Sequence, residues 1–381
     1  VVVGLSLLAL LSSDLRSQAW REVLAASKTT VGIAVIATLL LWVLSALGSN
    51  FIIRSLEAVL RTGAFVCIAV MVFAVLRDAP KLQSLCLKSL AAVSLIGSVI
   101  AVIATMVMPE LYWLLRLEGW SSAPIKSAYK GYAAISVLLV PTLIWMSFTF
   151  RNVWQVVSLV AAASFLLLVW ETYNRAAMAG FIGIVFAMAV TEFARDPKRL
   201  VTKLCVGLTS LLTASVLIWL KVTRNHSIDI APETNWYFPV WLIDFQRQTI
   251  WGHAYQVFET APWLGVGANT INLTPGANQP LPGDESLHII PAHPHNWTVE
   301  ILAETGGLGL FALLVTLAAI AVTLILKYRR TGAPRYLMVI AMLAGYWGSG
   351  LFNFSYWSAW WQVSFVLAVA VTASLSKAVT R

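Results

Sequence analysis

Residues 31–49 read VGIAVIATLLLWVLSALGS, nineteen positions without a charged side chain. A helix rises about 1.5 Å per residue, so this stretch is long enough to cross a hydrocarbon core of about 30 Å. Only a helix satisfies its own backbone in that solvent without neighbouring strands. The segment therefore reads as a membrane-spanning helix. Working outward from it, comparable apolar blocks lie at 1–13, 63–76, 84–108, 131–150, 153–170, 176–193, 200–220, 306–326, 336–352 and 358–376. The block at 63–76 is short. The residues before it, 51–62, carry Arg54, Glu57 and Arg61, lie at the interface and complete the crossing. Val1 already sits inside an apolar stretch, so 1–13 reads as a helix whose beginning is missing rather than as a whole signal peptide. The expected fold is an all-α integral membrane protein of 11–12 transmembrane helices.

Composition agrees. Hydrophobic residues make up 59% of the chain and charged residues 11%, against about 25% charged in soluble domains. The net charge of +9 is a topological signal of a membrane protein, and no nucleic-acid partner is expected. Cys67, Cys86 and Cys205 all fall in apolar segments, which excludes a disulfide framework and a cysteine-rich metal site.

Lysine and arginine set the orientation. Arg16, Arg21, Lys28, Arg77, Lys81, Lys88, Arg151, Arg195, Lys198, Arg199, Lys203, Lys327, Arg329, Arg330, Arg335, Lys377 and Arg381 fall on one face, 17 of the 26 basic residues. That face is expected in the cytoplasm. The segments 109–130, 171–175, 221–305 and 353–357 then point outward. The chain divides into an N-terminal helix bundle (1–220), a large outer loop (221–305) and C-terminal helices (306–381). The loop is rich in proline and in aromatics such as Trp236, Tyr237, Trp241, Trp251, Tyr255 and Trp263. Short helices on the membrane surface, for instance over 236–260, suit that composition.

All five histidines, His226, His253, His288, His293 and His295, lie in this loop. Polar residues collect where water is, and that suffices for His226, His253 and His288. His295 follows Pro294, precedes Asn296, and stands where the chain turns back into the membrane. A neutral imidazole there accepts a proton near pH 7. His293 and His295 form a His-x-His pair of the kind that binds zinc. Catalytic zinc usually takes three protein ligands, no third is evident, and no metal is expected. No Asp-x-Asp pair exists for a sugar nucleotide with its metal. Arg175 stands at the outer start of an apolar helix. It either snorkels to the interface or faces the bundle. The small residues Ala176, Ala177, Ala179, Gly180 and Gly183 mark close packing and favour the bundle. Arg247, in the aromatic-rich part of the loop, either attracts anionic headgroups or joins Arg175 on a phosphate. Lys130, Lys126 and Arg116 are weaker candidates for the same anion. Glu300 and Glu304, a helical turn apart, either line the site or orient His295, or else pair with their surroundings inside the bundle.

These motifs resemble a known family. His295-Asn296, nine residues, then Gly306-Gly307-Leu308-Gly309 is similar to the signature of the O-antigen ligase and polymerase superfamily: His, then Asn, Ser or Gln, nine residues, then Gly-x-x-Gly. Arg247 to Trp251 resembles that family's Arg-x-x-x-Leu, with tryptophan in place of leucine. Pro262-Trp263-Leu264-Gly265-Val266-Gly267 resembles Pro-x-x-Gly-x-Gly. Asn174-Arg175-Ala176-Ala177 resembles a Ser-Arg-small-small helix start, and Tyr129-Lys130-Gly131-Tyr132-Ala133 is a looser match to a lysine-bearing one.

The resemblance implies a C-type glycosyltransferase (GT-C) architecture in the bacterial inner membrane with its active site facing the periplasm. It implies an undecaprenyl-diphosphate-linked glycan as donor and a hydroxyl of the lipid A core oligosaccharide as acceptor. Transfer would invert the anomeric centre, with no cofactor and no metal. His295 is then the expected base and Arg175 and Arg247 the diphosphate-binding pair, with Lys130, Asn296, Glu300 and His293 as further substrate-binding or orienting residues. An O-antigen polymerase or a protein O-oligosaccharyltransferase would use the same donor. A transporter of polyprenyl-linked glycans is the reading from another class, but its sites usually lie near the membrane midplane, whereas these candidates gather at one mouth.

Overall fold

The computed structural model describes residues 13–117, 119, 125–195, 204, 207–208, 210–212, 215, 243–281 and 284–376. The expected span at 1–13, most of that at 200–220, the part of the 236–260 segment before 243, His226 and the basic tail at 377–381 lie outside them. The helices are α1 Ser13–Ser27, α2 Thr30–Leu47, α3 Ile52–Arg77, α4 Pro80–Met106, α5 Glu110–Arg116, α6 Ile125–Ala128, α7 Lys130–Thr149, α8 Val153–Glu171, α9 Arg175–Arg195, α10 Phe245–Thr260, α11 Trp297–Thr331, α12 Pro334–Ser349 and α13 Ala359–Ser374. Seven of them, α2, α3, α4, α7, α8, α9 and α11, are long and apolar enough to cross a membrane. The protein is an all-α integral membrane protein.

Local chemistry sets the helix ends. Thr29 caps α2, its hydroxyl accepting from Gly32 N at 3.0 Å. Pro80 and Pro334 open α4 and α12 in the first turn, where a missing N–H costs nothing. Gly332, with φ +62°, closes α11 in the left-handed conformation.

The small-residue face of α9 packs directly on α12. A Cβ added at Gly180 would meet Gly345 O at 2.8 Å, and one at Gly183 would meet Ala344 O at 2.7 Å. The two backbones touch, as the run of small residues led us to expect. Polar side chains bind other helix pairs inside the bundle: Thr38 to Thr316 at 2.9 Å and Gln362 to Thr62 at 3.0 Å. Gln83 Nε2 donates to both Leu76 O and Ser374 O.

Three features depart from the sequence expectations. Residues 13–27, read as a charged connection, form α1, which Glu22 ties to Arg77 at the end of α3. Residues 52–62, by contrast, complete the crossing as expected, as the first turns of α3, one helix of 26 residues. A further helical stretch, 297–305, precedes the crossing read from 306: Asn296 caps its start and a kink at Gly306 separates it from the rest of α11. A small antiparallel ladder pairs β1 Pro280–Leu281 with β2 Asp284–His288.

The starts of α3, α7, α9 and α11, the connection 350–358 and the segment 243–296 gather at one end of the bundle. There α10 packs on α11 through Ile250, Ala254 and Val257 against Ala303.

Candidate active site

The site begins with the cap of α10. Asp244 Oδ1 accepts from Arg247 N at 2.9 Å, the usual role of an aspartate ahead of a helix. Its Oδ2 accepts from two guanidinium groups, Arg247 Nη1 at 3.1 Å and Arg175 Nη1 at 3.0 Å. Arg175 is the first residue of α9, so its side chain leaves the bundle at the mouth and meets Asp244 there. Arg247 Nη2 also donates to Phe352 O at 3.2 Å, which fixes the guanidinium plane against the 350–358 connection.

Lys130, the first residue of α7, lies within electrostatic reach of both guanidinium groups. Its position is secured by Asn174, which donates from Nδ2 to Lys130 O and accepts from Ala177 N at 3.1 Å. One asparagine thus caps α9 and ties its start to that of α7.

His295 completes the cluster. The ring feels Arg247 and Asp244 through space. Burial pushes its pKa down to about 4, Arg247 adds to the effect and Asp244 opposes it. The imidazole is therefore neutral at pH 7. Its backbone is left-handed, φ +56°, uncommon for a residue with a side chain and a strain that functional sites often hold. The neighbours account for it. On one side Trp251 Nε1 donates to Pro294 O at 2.9 Å. On the other, Asn296 Oδ1 accepts from Thr298 N at 2.9 Å and from its hydroxyl at 2.6 Å, and Trp297 N donates to Gly350 O. Arg247 and Trp251 are one helical turn apart, so a single face of α10 presents the guanidinium and fixes the histidine loop.

The glycine motifs have a separate purpose. Helix α11 is broken at Gly306, φ +69° and ψ −179°, a conformation essentially confined to glycine. The break frees backbone groups on both sides, and the turn 262–267 takes them up. Val266 N and Gly267 N donate to Ala303 O and Glu304 O at 3.2 and 2.8 Å, while Gly307 N and Leu308 N donate to Pro262 O and Trp263 O at 2.8 and 3.3 Å. The approach leaves no room for side chains. A Cβ on Gly306 would lie 2.3 Å from Trp263 C, and one on Gly265 would lie 2.3 Å from Glu304 C. The two glycine motifs are two halves of one backbone joint.

Glu300 and Glu304 lie beneath this joint, both fully buried. Glu300 accepts from the Ser355 hydroxyl at 2.5 Å and from Tyr356 N at 2.7 Å. Glu304 accepts from Asn269 N at 2.7 Å, Ile271 N at 2.9 Å and the Trp357 indole. The carboxylates thus anchor the surrounding loops, and neither oxygen of Glu300 bonds to His295. His293 packs its ring against that of His295, centroids 4.3 Å apart. Burial and then His295 push its pKa to about 3, and its buried Nε2 has no hydrogen-bond partner among the described residues. Among these residues no third histidine, cysteine, aspartate or glutamate joins the pair in a cluster able to hold a metal. Lys126 pairs with Glu171 at 3.1 Å, and Arg116 donates to Tyr112 Oη at 2.9 Å. His288 Nδ1 is bonded to Asn278 O at 2.9 Å.

Sequence reasoning missed Asp244, the Phe352 carbonyl and the Trp251 indole. Only the first had a local signal: an aspartate three residues before Arg247, at the head of an amphipathic stretch, is an N-cap pattern.

Two guanidinium groups, an ammonium, a carboxylate and a neutral imidazole thus meet at one mouth of a multi-pass helical membrane protein. The family model described as O-antigen ligase matches residues 161–314. The match takes in Arg175, Asp244, Arg247, the 262–267 turn, His295 and Gly306, and leaves out Lys130. No curated protein matches the chain.

Proposed function

We propose that the protein is an O-antigen ligase that works by metal-independent, inverting glycosyl transfer. The donor is a glycan on undecaprenyl diphosphate and the acceptor a hydroxyl of the lipid A core oligosaccharide, so that transfer completes lipopolysaccharide. The reaction takes place at the periplasmic face of the inner membrane, in a GT-C-like bundle with no cofactor. The observation that carries this reading is the convergence of Arg175, Arg247 and Lys130 beside a neutral His295, all from elements distant in sequence.

The chemistry follows from those groups. Arg175 and Arg247 bind the diphosphate oxygens and neutralise the charge that grows as the bond from the anomeric carbon to oxygen breaks. The acceptor oxygen attacks that carbon from the opposite side, and its proton passes to His295. Lys130 adds positive charge to the same anion. Asn296 and His293 act on His295 rather than on the sugar, one by capping α11 directly after it and the other by packing on its ring. Glu300 holds the 353–357 wall. Both substrates are lipid-anchored, and their confinement to one mouth lowers the entropic cost of encounter.

The test uses the full-length protein in detergent with an undecaprenyl-diphosphate-linked glycan and three separate acceptors: lipid A core, a second lipid-linked repeat, and a periplasmic protein. Product on lipid A core, unaffected by chelator, is the expected result. Product only on a lipid-linked repeat would make the enzyme a polymerase. Product only on protein would make it an oligosaccharyltransferase. Movement of labelled donor across a vesicle without bond formation would turn the reading to transport.

A further inference from the structure

The two guanidinium groups of the mouth do not face an unclaimed space. One oxygen, Asp244 Oδ2, accepts from Nη1 of both arginines, at 3.0 and 3.1 Å. The other oxygen, Oδ1, is committed to Arg247 N as the cap of α10. The carboxylate therefore has two tasks on two atoms. Only one of them is structural.

An oxyanion shared between two guanidinium groups is also how arginines grip phosphate. Asp244, Arg175 and Arg247 are each only about a quarter exposed, with side-chain exposures of 24%, 28% and 21%, so their charges are weakly screened. Without Asp244, the two like charges would repel each other at this depth. Lys130 adds a third positive charge within reach. Among the described residues these three cations gather about one carboxylate, Asp244, a balance that suits a diphosphate.

We infer that Asp244 is an internal stand-in for the phosphate: its Oδ2 holds the arginines together in the empty protein and yields its place to a phosphoryl oxygen when the donor binds. The inference rests on the reading of Arg175 and Arg247 as the diphosphate site. The swap keeps the helix intact, because Oδ1 retains the cap while Oδ2 turns away. After transfer the carboxylate competes for the arginines again and helps to expel undecaprenyl diphosphate. Asp244 thus sets how tightly the site holds both its donor and its spent carrier.

A cap alone would predict something different, and the two roles separate by substitution. Asparagine and serine both cap helices as well as aspartate does, but neither carries charge. Binding of inorganic pyrophosphate to the full-length protein in detergent, measured by titration calorimetry at fixed ionic strength, is the readout. Asp244→Asn and Asp244→Ser should each lower the pyrophosphate Kd by about tenfold, the scale of one nearby like charge removed from a partly buried site. Undecaprenyl diphosphate should become a correspondingly stronger product inhibitor. Unchanged or weaker pyrophosphate binding in both variants overturns the inference. The Arg247→Ala protein is the control for the site itself. If it loses a binding that the native protein has while the Asp244 variants match native, the arginine site stands and only the stand-in role falls. If neither the native protein nor the Asp244 variants bind pyrophosphate, the anion site and the stand-in fall together.

Discussion

At the scale of single residues the site is a balance of charges around one imidazole. His295→Ala should lower glycan transfer by about 10²–10⁴-fold, the usual worth of a positioned general base. Donor affinity should change little, since the arginines remain. The pH dependence carries a sign. Burial and Arg247 push the pKa of His295 down to about 4 in the empty protein, so kcat/KM should hold as pH falls below 6.5 and decline only near 4. Bound diphosphate cancels the push of Arg247, so the acid limb of kcat should lie at higher pH than that of kcat/KM. A pH–rate series measures both, and a kcat/KM limb near 6.5 would show that the ring is not held as described. Trp251→Phe keeps the aromatic bulk and removes only the bond to Pro294 O, so it should lower kcat while leaving the donor KM near native. The arginines and the histidine were legible in the sequence because charges at a membrane boundary need a reason. Glu300 was legible only as a choice between lining the site and pairing within the bundle, because its partners, Ser355 and Tyr356, reach it only through tertiary packing.

At the scale of elements, nearly every span in the described residues could be read directly, because lipid as solvent makes composition decisive. The errors fell where water returns. Residues 13–27 carry charges that suit a loop, yet form α1, which Glu22 ties to Arg77. The break at Gly306 was equally hidden, since a glycine pair inside an apolar run does not reveal that a distant turn fills the gap. The joint gives a sharp stability expectation. Gly306→Ala forces a side chain into a conformation that suits glycine and into the backbone of Trp263. It should destabilise the protein by about 3 kcal/mol or more, read as a fall in the midpoint of thermal unfolding in detergent. Gly307→Ala, whose added Cβ would sit an ordinary 3.4 Å from Pro262 O, should cost far less.

At the scale of the whole molecule, the bundle, the 243–296 segment and the 350–358 connection form one polar mouth, and the basic residues at the other end set its direction. Asn278 and Thr331 are both exposed, on the loop segment and at the far end of α11. In spheroplasts, Asn278→Cys should react with an impermeant maleimide from outside, and Thr331→Cys only after the membrane is opened. The reverse pattern would invert the proposed topology.

The joint between Gly265 and Gly306 also bears on how this chain can change over generations. The space at each position is filled by main chain just before the other, Glu304 and Thr305 at Gly265 and Trp263 and Leu264 at Gly306, so neither has a side chain left to shorten. A genetic screen that begins from a bulkier residue at position 265 and selects for restored growth should return true revertants. Compensating changes at 306 should be missing from it.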